Sequence, residues 1–523
     1  MSAIGPRPWD AAWPRHVARS IDYPSVPAWW LLESNLPRLA RRVAIREIDH
    51  ETLAEGRVLT YERLVRAARG VATGLRSAAG QGSARVGLCL PNSAALILGY
   101  YGTWWAGGTV VPANPAARDT EVEQQLADAG VSVVVGEANG VARAVAGRLK
   151  VPFVDVETLT AMESLAPADP APCVPRDDVA VILYTGGTTG TPKGAMLTHR
   201  NIVANTIQFR DWYAFASGDE TSICAIPMFH SGGMSGVMNV PIAAGATLLL
   251  FRRFNAAAVA RTAAAHRVTR LFGVPTMFIA LLNDPEGRRA DYSTLRACRT
   301  NAAPLPPHVK AAFDALVGRE VLVEGYGLTE TSPLTHANPI ERAKPGSIGI
   351  PLADTDARVV DMDSGAGVAP GESGELLIRG PQVMRGYWNR PDETARVLND
   401  GWLRTGDIAT MDGDGYFAIV DRAKDMINTA GFKVWPREVE EVLYAHDAVK
   451  LAAVVGVADD YRGEAVKAFV VPKDGARVSE GELLDFCRAR LSTYKLPRAV
   501  EFRGELPMSG AGKILRRALR EMT

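Results

Sequence analysis

The chain has 523 residues, of which 47% are hydrophobic and 22% are charged, a composition typical of globular rather than disordered proteins. Lysine plus arginine number 58, as do aspartate plus glutamate, and this balance excludes a global field that would draw the chain onto nucleic acid or an anionic membrane. A single hydrophobic core does not grow to this size, so two or more packed units are expected.

Short β-branched runs alternate with longer amphipathic runs over most of the chain, which predicts an α/β fold with largely parallel sheets. The uncharged stretch 86–117 is long enough to span a bilayer, but its glycines and prolines favour a buried helix followed by a buried strand. Further predicted strands are 131–137, 179–185, 246–251 and 268–274. The predicted helices between them include 121–129 and 256–266.

The pattern changes from about residue 356. Short alternating runs separated by glycine and aspartate predict a β-rich subdomain, at about 350–423, of a large N-terminal domain, 1–423. The last unit, 424–523, combines two strands with two helices, the first with Pro436 just inside its start, and this predicts a small α+β domain. The connection between the domains is expected to be short, because no long linker is visible.

The five cysteines form no CxxC pair, and their odd number argues against a disulfide framework or a zinc site. The N-terminus lacks an apolar run, so no secretory signal is visible. These features predict a cytoplasmic protein without a transmembrane segment. A homodimer is compatible with the sequence, which does not define an oligomeric state.

The strongest local signal is YTGGTTGTPKG, 184–194, directly after a predicted strand. Glycines let the backbone approach an anion, threonines add hydroxyl donors and Lys193 adds positive charge, so the loop predicts a phosphate site. It is not a Walker A loop, because Gly194 stands where that motif has serine or threonine. In isolation, a surface hairpin would be the alternative. The candidate residues are Thr185, Gly186, Gly187, Thr188, Thr189, Gly190 and Lys193.

This loop resembles the signature of the adenylate-forming (AMP-binding) superfamily of acyl-CoA synthetases, peptide-synthetase adenylation domains and luciferases. The family more often has serine where Gly187 stands, and the backbone donor at that position remains. Further segments resemble family motifs, in the family's order, over essentially the whole chain. The resemblance implies an enzyme that uses ATP to adenylate a carboxylic acid and then transfers the acyl group to coenzyme A.

EGYGLTE, 324–330, resembles the family motif for the base, the α-phosphate and the metal. The resemblance implies that Tyr326 stacks on the adenine beside Gly327. It also implies that Thr329 contacts the α-phosphate and that Glu330 binds Mg²⁺, for which a carboxylate oxygen is a suitable ligand.

Two further motifs complete the predicted nucleotide site. TNAAPLP resembles the turn beside the adenine, which makes Asn301 and Ala302 candidate contacts. TGD places Asp407 after an expected tight turn, and the matching aspartate of the family binds the ribose hydroxyls. Arg422 resembles a second contact to the ribose or the phosphate.

The predicted catalytic residues are Lys193, Glu330, His230 and Lys513. His230, in PMFHSGGM, resembles a histidine that lines the site between acid and nucleotide, which implies that it positions the acyl group. Lys513, in PMSGAGKILRR, resembles the catalytic lysine of the family. Attack of a carboxylate on the α-phosphorus brings two anions together, and a lysine that contacts both offsets their repulsion.

In the family, the small domain rotates after adenylation, so the resemblance implies a mobile C-terminal domain with its hinge at Lys424. Gly431 matches the glycine beside the channel for the pantetheine arm of coenzyme A. The roles of Lys433 and Arg462 stay open.

Several segments most resemble bacterial medium- and long-chain fatty-acyl-CoA synthetases. The residues that resemble the acyl pocket are small or apolar, with no evident charge to pair with a second carboxylate, so an apolar monocarboxylic acid is expected. Chain length cannot be inferred, because a buried methylene contributes only about 0.8 kcal/mol. Aromatic and alicyclic acids are alternatives. The candidate pocket residues are Phe229, Gly232, Gly233, Met234 and Val274.

Other functions share the first half-reaction. An enzyme that loads a carrier protein would form the same acyl-adenylate, and a luciferase-like oxygenase would go on to consume O₂. A non-catalytic protein would bind ATP without releasing AMP, but the presence of Lys193, Glu330, Asp407 and Lys513 favours a catalyst. A serine hydrolase is disfavoured, because no GxSxG motif is present.

Overall fold

The computed structural model describes residues 7–80, 84–185, 192–430, 432–459, 462–473, 475–508 and 514–522. The chain divides into two compact units. The first consists of Met1–Asp356 and Ile378–Leu403, and the second of Ala357–Leu377 and Arg404–Thr523. The domain boundary at residue 424 stays a prediction.

A nine-stranded sheet runs through the first unit. Its six central strands are parallel to their neighbours, and antiparallel strands complete both edges. Strands such as Thr247–Phe251 are buried on both faces, which explains their nearly continuous apolar sequence. In spatial order the strands are Ile350–Pro351, Leu334–Ala337, Leu322–Gly327, Ala297–Thr300, Arg270–Gly273, Thr221–Cys224, Thr247–Phe251, Val43–Ile48 and Glu55–Thr60.

A seven-stranded sheet forms the other β-layer of this unit. Five of its strands are mutually parallel, and an antiparallel hairpin of Val179–Thr185 and Lys193–Thr198 extends it toward one edge. We call this hairpin the phosphate-loop hairpin, because it brackets the predicted phosphate loop. In spatial order the strands are Gly386–Tyr387, Lys193–Thr198, Val179–Thr185, Thr109–Pro112, Arg85–Cys89, Val133–Gly136 and Phe153–Asp155.

Helices connect the strands and cover the sheets of the first unit. The prediction for 86–117 is confirmed: Ala94–Trp105 is a helix with every residue buried, and the buried strand Thr109–Pro112 follows. No helix within the described ranges combines the length and the apolar character needed to cross a membrane. The helices are Trp30–Glu33, Leu36–Leu39, Tyr61–Ala79, Ala94–Trp105, Asp119–Ala129, Val141–Leu149, Val156–Met162, His199–Trp212, Ser231–Gly233, Val240–Ala243, Ala256–Ala265, Pro275–Asn283, Pro285–Arg289, Pro307–Val317 and Pro391–Val397.

Two five-stranded sheets account for the remaining strands. The predicted alternating runs and the elements of the last unit are confirmed, including a helix that starts at Pro436. One sheet contains Asp356–Val360, Gly374–Arg379, Trp402–Met411, Leu398–Asn399 and Phe417–Arg422. The other contains Phe432–Val434, Ile427–Thr429, Gly463–Pro472, Val449–Asp459 and Ala499–Phe502. The helices here are Pro436–Tyr444, Glu480–Arg488 and Arg516–Arg520.

Candidate active site

The two ends of the predicted phosphate loop lie on adjacent strands of the phosphate-loop hairpin. Thr185 and Lys193 are cross-strand partners, and the Thr185 hydroxyl donates to the Lys193 carbonyl oxygen at 3.5 Å. A strand, not a helix, continues from Lys193, in keeping with the difference from a Walker A loop. The intervening candidates lie outside the described residues; they are Gly186, Gly187, Thr188, Thr189 and Gly190.

The ammonium of Lys193 contacts a segment that arrives from much later in the chain. Its Nζ forms an ion pair with Glu393 and lies 5.4 Å from the ring centroid of Tyr387, within the range of a cation–π contact. The backbone N–H of Trp388 donates to the carbonyl oxygen of Gly194 at 2.8 Å, which keeps this segment along the hairpin. The lysine is therefore oriented by neighbours on two sides.

Tyr387 also joins Lys193 to Glu330. Its hydroxyl donates to Glu330 Oε1 at 2.8 Å, and the N–H of Met384 donates to the Glu330 carbonyl oxygen at 2.8 Å. Burial, reinforced by the negative charge of Glu330, raises the pKa of Tyr387, so the phenol stays protonated and remains a donor. Two residues predicted independently, Lys193 and Glu330, are thus brought into one cluster with Tyr387 and Glu393, here called the phosphate cluster.

Tyr326 lies at the end of the strand that precedes Glu330. Its ring meets His336 edge-on, with 6.0 Å between centroids. Burial lowers the pKa of His336 to about 3, so this histidine is neutral at neutral pH. It therefore contacts Tyr326 as an uncharged ring. A Cβ at Gly327 would lie 1.8 Å from the Pro333 carbonyl oxygen, which explains the glycine. Thr329 and Glu330 follow in a short 3₁₀ helix.

Asn301 and Ala302 follow the strand Ala297–Thr300. Ala302 has a φ of +73°, in the left-handed region, which costs an L-residue with a Cβ about 1–2 kcal/mol. Strain of this kind is often found at functional sites. The amide nitrogen of Asn301 lies 3.2 Å from the position that a Cβ on Gly232 would occupy, so the predicted adenine turn abuts the predicted acyl pocket.

Three of the acyl-pocket candidates, Gly232, Gly233 and Met234, lie on a helix of mixed geometry, which we call the acyl helix. His230 is its N-cap, Ser231–Gly233 is α-helical, and Met234–Asn239 is a π-helix, a form often found at functional sites. The rings of Phe229 and His230 are in contact, with centroids 4.6 Å apart. Met234 is fully buried. Elsewhere in the unit, the half-buried Val274 precedes the helix Pro275–Asn283.

In the second unit, Asp407 and Arg422 are cross-strand partners. Arg422 Nε lies 3.1 Å from Asp407 Oδ1, so two candidates for the ribose contact form one ion pair. The expected tight turn at TGD was wrong, because Thr405 to Asp407 lie within the strand Trp402–Met411. Gly406, at φ +69°, changes the local backbone direction without ending the strand.

Some predicted residues lie outside the described part of the chain. These are Gly431 and Lys513, together with the side chain of Lys424, whose backbone belongs to the short helix Ala423–Asp425. Their assigned roles stay predictions.

Two family models match the chain. The AMP-binding enzyme model covers residues 34–388, and the model of the AMP-binding enzyme C-terminal domain covers residues 438–513. The chain belongs to the AMP-binding enzyme family. The predicted recognition is confirmed, and the activity that follows is that of an AMP-forming acid–CoA ligase, whose substrates are ATP, a carboxylic acid and coenzyme A.

Individual members of the family are similar over most of this enzyme. The long-chain-fatty-acid–CoA ligase of Bacillus subtilis is 40% identical, over 98% of both chains. The feruloyl-CoA synthase of an Amycolatopsis species is 42% identical, over 89% of this chain and 94% of its own. The ATP-bound structure of MatB from Rhodopseudomonas palustris superposes with a TM-score of 0.86 at 30% identity, over 95% and 99% of the two chains.

Sequence analysis of this AMP-binding enzyme missed three residues that shape the site. Tyr387 and Glu393 stand in RGYWNRPDET, where no local pattern suggests phosphate chemistry, and their role depends on strand pairing. His336 lies six residues beyond the motif EGYGLTE, and its burial against Tyr326 is visible only in the fold.

Removing one hydroxyl tests the link between Tyr387 and Glu330. Tyr387→Phe keeps the ring beside Lys193, and we expect kcat/KM for ATP in ATP–pyrophosphate exchange to fall roughly tenfold, as for loss of one hydrogen bond to a charged group. Tyr23→Phe is the matched control, because it removes a hydroxyl that donates to Asp354 at 2.9 Å. Equal effects of the two substitutions would contradict the assignment.

Two adjacent glycines of the acyl helix should respond differently to alanine. At Gly233 a Cβ would lie 2.0 Å from the Pro227 carbonyl oxygen, whereas at Gly232 it would meet only the Asn301 amide at 3.2 Å. Gly233→Ala should lower the free energy of unfolding by about 2 kcal/mol or more, and Gly232→Ala by less than about 1 kcal/mol. Thermal unfolding of both variants measures this, and equal stabilities would show that the overlap relaxes freely.

Proposed function

We propose that this enzyme activates medium- or long-chain fatty acids as acyl-adenylates and then transfers the acyl group to coenzyme A, with Mg²⁺ and ATP. The observation that carries the proposal is the phosphate cluster, in which Lys193, Tyr387 and Glu330 meet beside the predicted phosphate loop. This cluster combines a cation for phosphate with a carboxylate oriented for a metal.

Lys193 is proposed to bind the triphosphate. Its partner in the structure is Glu393, and a triphosphate carries more negative charge than one carboxylate. Nucleotide binding would therefore exchange the ion-pair partner of the Lys193 ammonium, from Glu393 to a phosphate. The ring of Tyr387 would keep the lysine in place during this exchange.

Glu330 is proposed to hold Mg²⁺ together with the phosphates of ATP. The described residues contain no cluster of three or more acidic, histidine or cysteine side chains that could hold a metal ion. One carboxylate fits the ion nevertheless, because Mg²⁺ at nucleotide sites is commonly bound through one or two carboxylates, substrate phosphates and water. The bound ion would neutralise charge that develops on the phosphates.

The remaining roles concern the nucleoside and the reacting groups. We assign Tyr326 to adenine stacking, and Asp407 with Arg422 to the ribose. A carboxylate oxygen of the acid attacks the α-phosphorus and pyrophosphate leaves, and we assign Lys513 to offset the charge of that step. The thiol sulfur of coenzyme A then attacks the acyl carbonyl carbon, and AMP leaves.

The proposed acid class rests on the relatives and on the acyl helix. The long-chain-fatty-acid–CoA ligase is similar over nearly the whole chain, and Met234 and Val237 offer buried apolar surface. The second candidate is an aromatic acid, supported by the similarity to feruloyl-CoA synthase and by the absence of a side chain at Gly232. All five cysteines are free thiols, in keeping with the proposed cytoplasmic location.

Lys513→Ala tests the proposed chemistry. AMP release that requires both coenzyme A and an acid is measured across hexanoate, dodecanoate, hexadecanoate, benzoate and 4-hydroxycinnamate. The variant should lose roughly 10²–10³-fold in rate with every acid, as for loss of one donor to a developing charge. Arg517→Ala is the matched control, because it removes a nearby cation whose ion pair with Glu521 is exposed.

The outcomes separate the alternatives. Preference for dodecanoate or hexadecanoate supports the fatty-acid proposal, and preference for 4-hydroxycinnamate supports the aromatic one. Pyrophosphate exchange without formation of acyl-CoA would identify a carrier protein as the acceptor. An unchanged rate in Lys513→Ala would refute its catalytic role.

A further inference from the structure

The side chain of Arg299 is a buried cation that has no anionic partner among the residues that the structure describes. The residue is only 1% exposed, and its Nε and Nη1 have no hydrogen-bond acceptor in the described part of the chain. Arg270, on the neighbouring strand, is also buried, but it donates to Glu220 Oε1 at 2.7 Å and to the carbonyl oxygen of Tyr213 at 2.9 Å. Burial lowers the pKa of Arg299 to about 10, so the guanidinium still carries its charge at neutral pH.

Arg299 faces the acyl helix, which carries candidate residues of the acyl pocket. It stands in the strand Ala297–Thr300, two residues before Asn301, which follows the end of that strand. A Cβ on Gly232 would lie 3.2 Å from the Asn301 amide, and one on Gly236 would lie 3.6 Å from Arg299 Nη2. The acyl helix therefore places a glycine against Asn301 and another against Arg299.

A third glycine borders the aliphatic part of the Arg299 side chain. A Cβ on Gly325, on the next strand of the sheet, would lie 3.4 Å from Arg299 Cδ. Backbone rather than side chain thus surrounds Arg299 at Gly236 and Gly325. Neither position places a side chain against the arginine, whereas a purely structural arginine is normally enclosed by its partners.

Aromatic rings cover the guanidinium without satisfying its N–H groups. The Arg299 Cζ lies 4.3 Å from the ring centroid of Phe209 and 5.6 Å from that of Phe272. Tyr213 packs on the same two rings, and its buried hydroxyl also has no hydrogen-bond partner within the described ranges. Stacking offsets part of the charge, but the unpaired N–H donors still require an acceptor.

We propose that Arg299 is a specificity-determining residue that binds an oxygen group of the acid remote from the carboxylate that is activated. The inference rests on the ligase activity of the proposed function, because it assumes that the acid lies along the acyl helix. Within that activity it favours the second candidate, an aromatic acid, or a fatty acid with an oxygen group remote from its carboxylate, over plain alkanoates. A carboxylate or a phenolic oxygen would accept hydrogen bonds from the unpaired N–H groups of the guanidinium. A plain alkyl chain would leave the cation buried and unsatisfied, so the enzyme should select oxygenated acids over plain alkanoates.

Matched pairs of acids test the selectivity. The pairs are hexanoate with hexanedioate, octanoate with octanedioate, and cinnamate with 4-hydroxycinnamate, each assayed by AMP release with coenzyme A. The wild type should favour the oxygenated member of at least one pair by about 10- to 100-fold in kcat/KM. Preference for a diacid identifies a carboxylate as the ligand of Arg299, and preference within the cinnamate pair identifies a phenol.

Arg299→Met should abolish or reverse that preference, with higher activity toward the plain acid, whereas Arg299→Lys should keep part of it. Preference for plain acids in the wild type, or a ratio that Arg299→Met leaves unchanged, would overturn the proposal. Such a result would fit a guanidinium satisfied by buried water.

Thermal unfolding provides a readout that does not depend on turnover. Arg299→Met should raise the Tm of the ligand-free enzyme, because it replaces an unpaired buried charge with an apolar side chain. Arg270→Met is the matched control and should lower the Tm, because it leaves the buried Glu220 unpaired. A lower Tm for Arg299→Met would indicate a structural arginine and contradict the proposal.

Failure of the proposed function is distinguishable from failure of this inference. If no acid supports AMP release, the ligase assignment to fatty or aromatic acids fails. The ligand-induced rise in Tm with hexanedioate, octanedioate or 4-hydroxycinnamate then decides the role of Arg299. A rise that is present in the wild type and lost in Arg299→Met supports it, and equal rises, or none, refute it.

Discussion

Pairing of the two-residue strand Gly386–Tyr387 with Lys193–Thr198 determines where the charged groups of the nucleotide site meet. The pairing lays a late segment of the chain beside the phosphate-loop hairpin, and Tyr387 then contacts both Lys193 and Glu330. Glu330 is further held through its backbone by Met384, from the same late segment. Each contact is small by itself. Together they hold a cation and a carboxylate close to each other beside the predicted phosphate loop, and charges that are prearranged in this way need little reorganisation when a ligand binds.

The strand Ala297–Thr300 and the turn that follows it show a different balance between stability and function. Ala302 adopts a left-handed backbone conformation, and Arg299 is buried without an anion in the described part of the chain. Both features destabilise the folded enzyme relative to simple alternatives such as glycine or methionine at these positions. Features of this kind are often found at functional sites, which accords with the roles proposed for these residues. The buried ion pair of Arg270 and Glu220 shows that the same sheet satisfies an arginine fully where no ligand is needed.

Sequence reasoning was most accurate where the signal is local. Buried strands such as 179–185 were identified from continuous β-branched runs, and the helix Ala94–Trp105 from glycines and prolines that interrupt an apolar stretch. The contact between Tyr387 and Glu330 could not be predicted, because it depends on pairing between strands far apart in sequence. The position of Arg299 beside Gly236 could not be predicted either, because it depends on packing between a helix and a strand that are far apart in sequence. The turn expected at TGD was wrong, because Gly406 accommodates its positive φ within a continuous strand.

Formation of the proposed acyl-adenylate requires attack of the acid's own oxygen on the α-phosphorus. The most direct test uses an acid labelled with oxygen-18 at both carboxylate positions, with ATP, Mg²⁺ and coenzyme A, followed by mass spectrometry of AMP, pyrophosphate and acyl-CoA. We expect one labelled oxygen in AMP, one in the acyl-CoA carbonyl and none in pyrophosphate. Label in pyrophosphate or inorganic phosphate, or unlabelled AMP formed together with acyl-CoA, would contradict an acyl-adenylate intermediate and with it the proposed roles of the phosphate cluster.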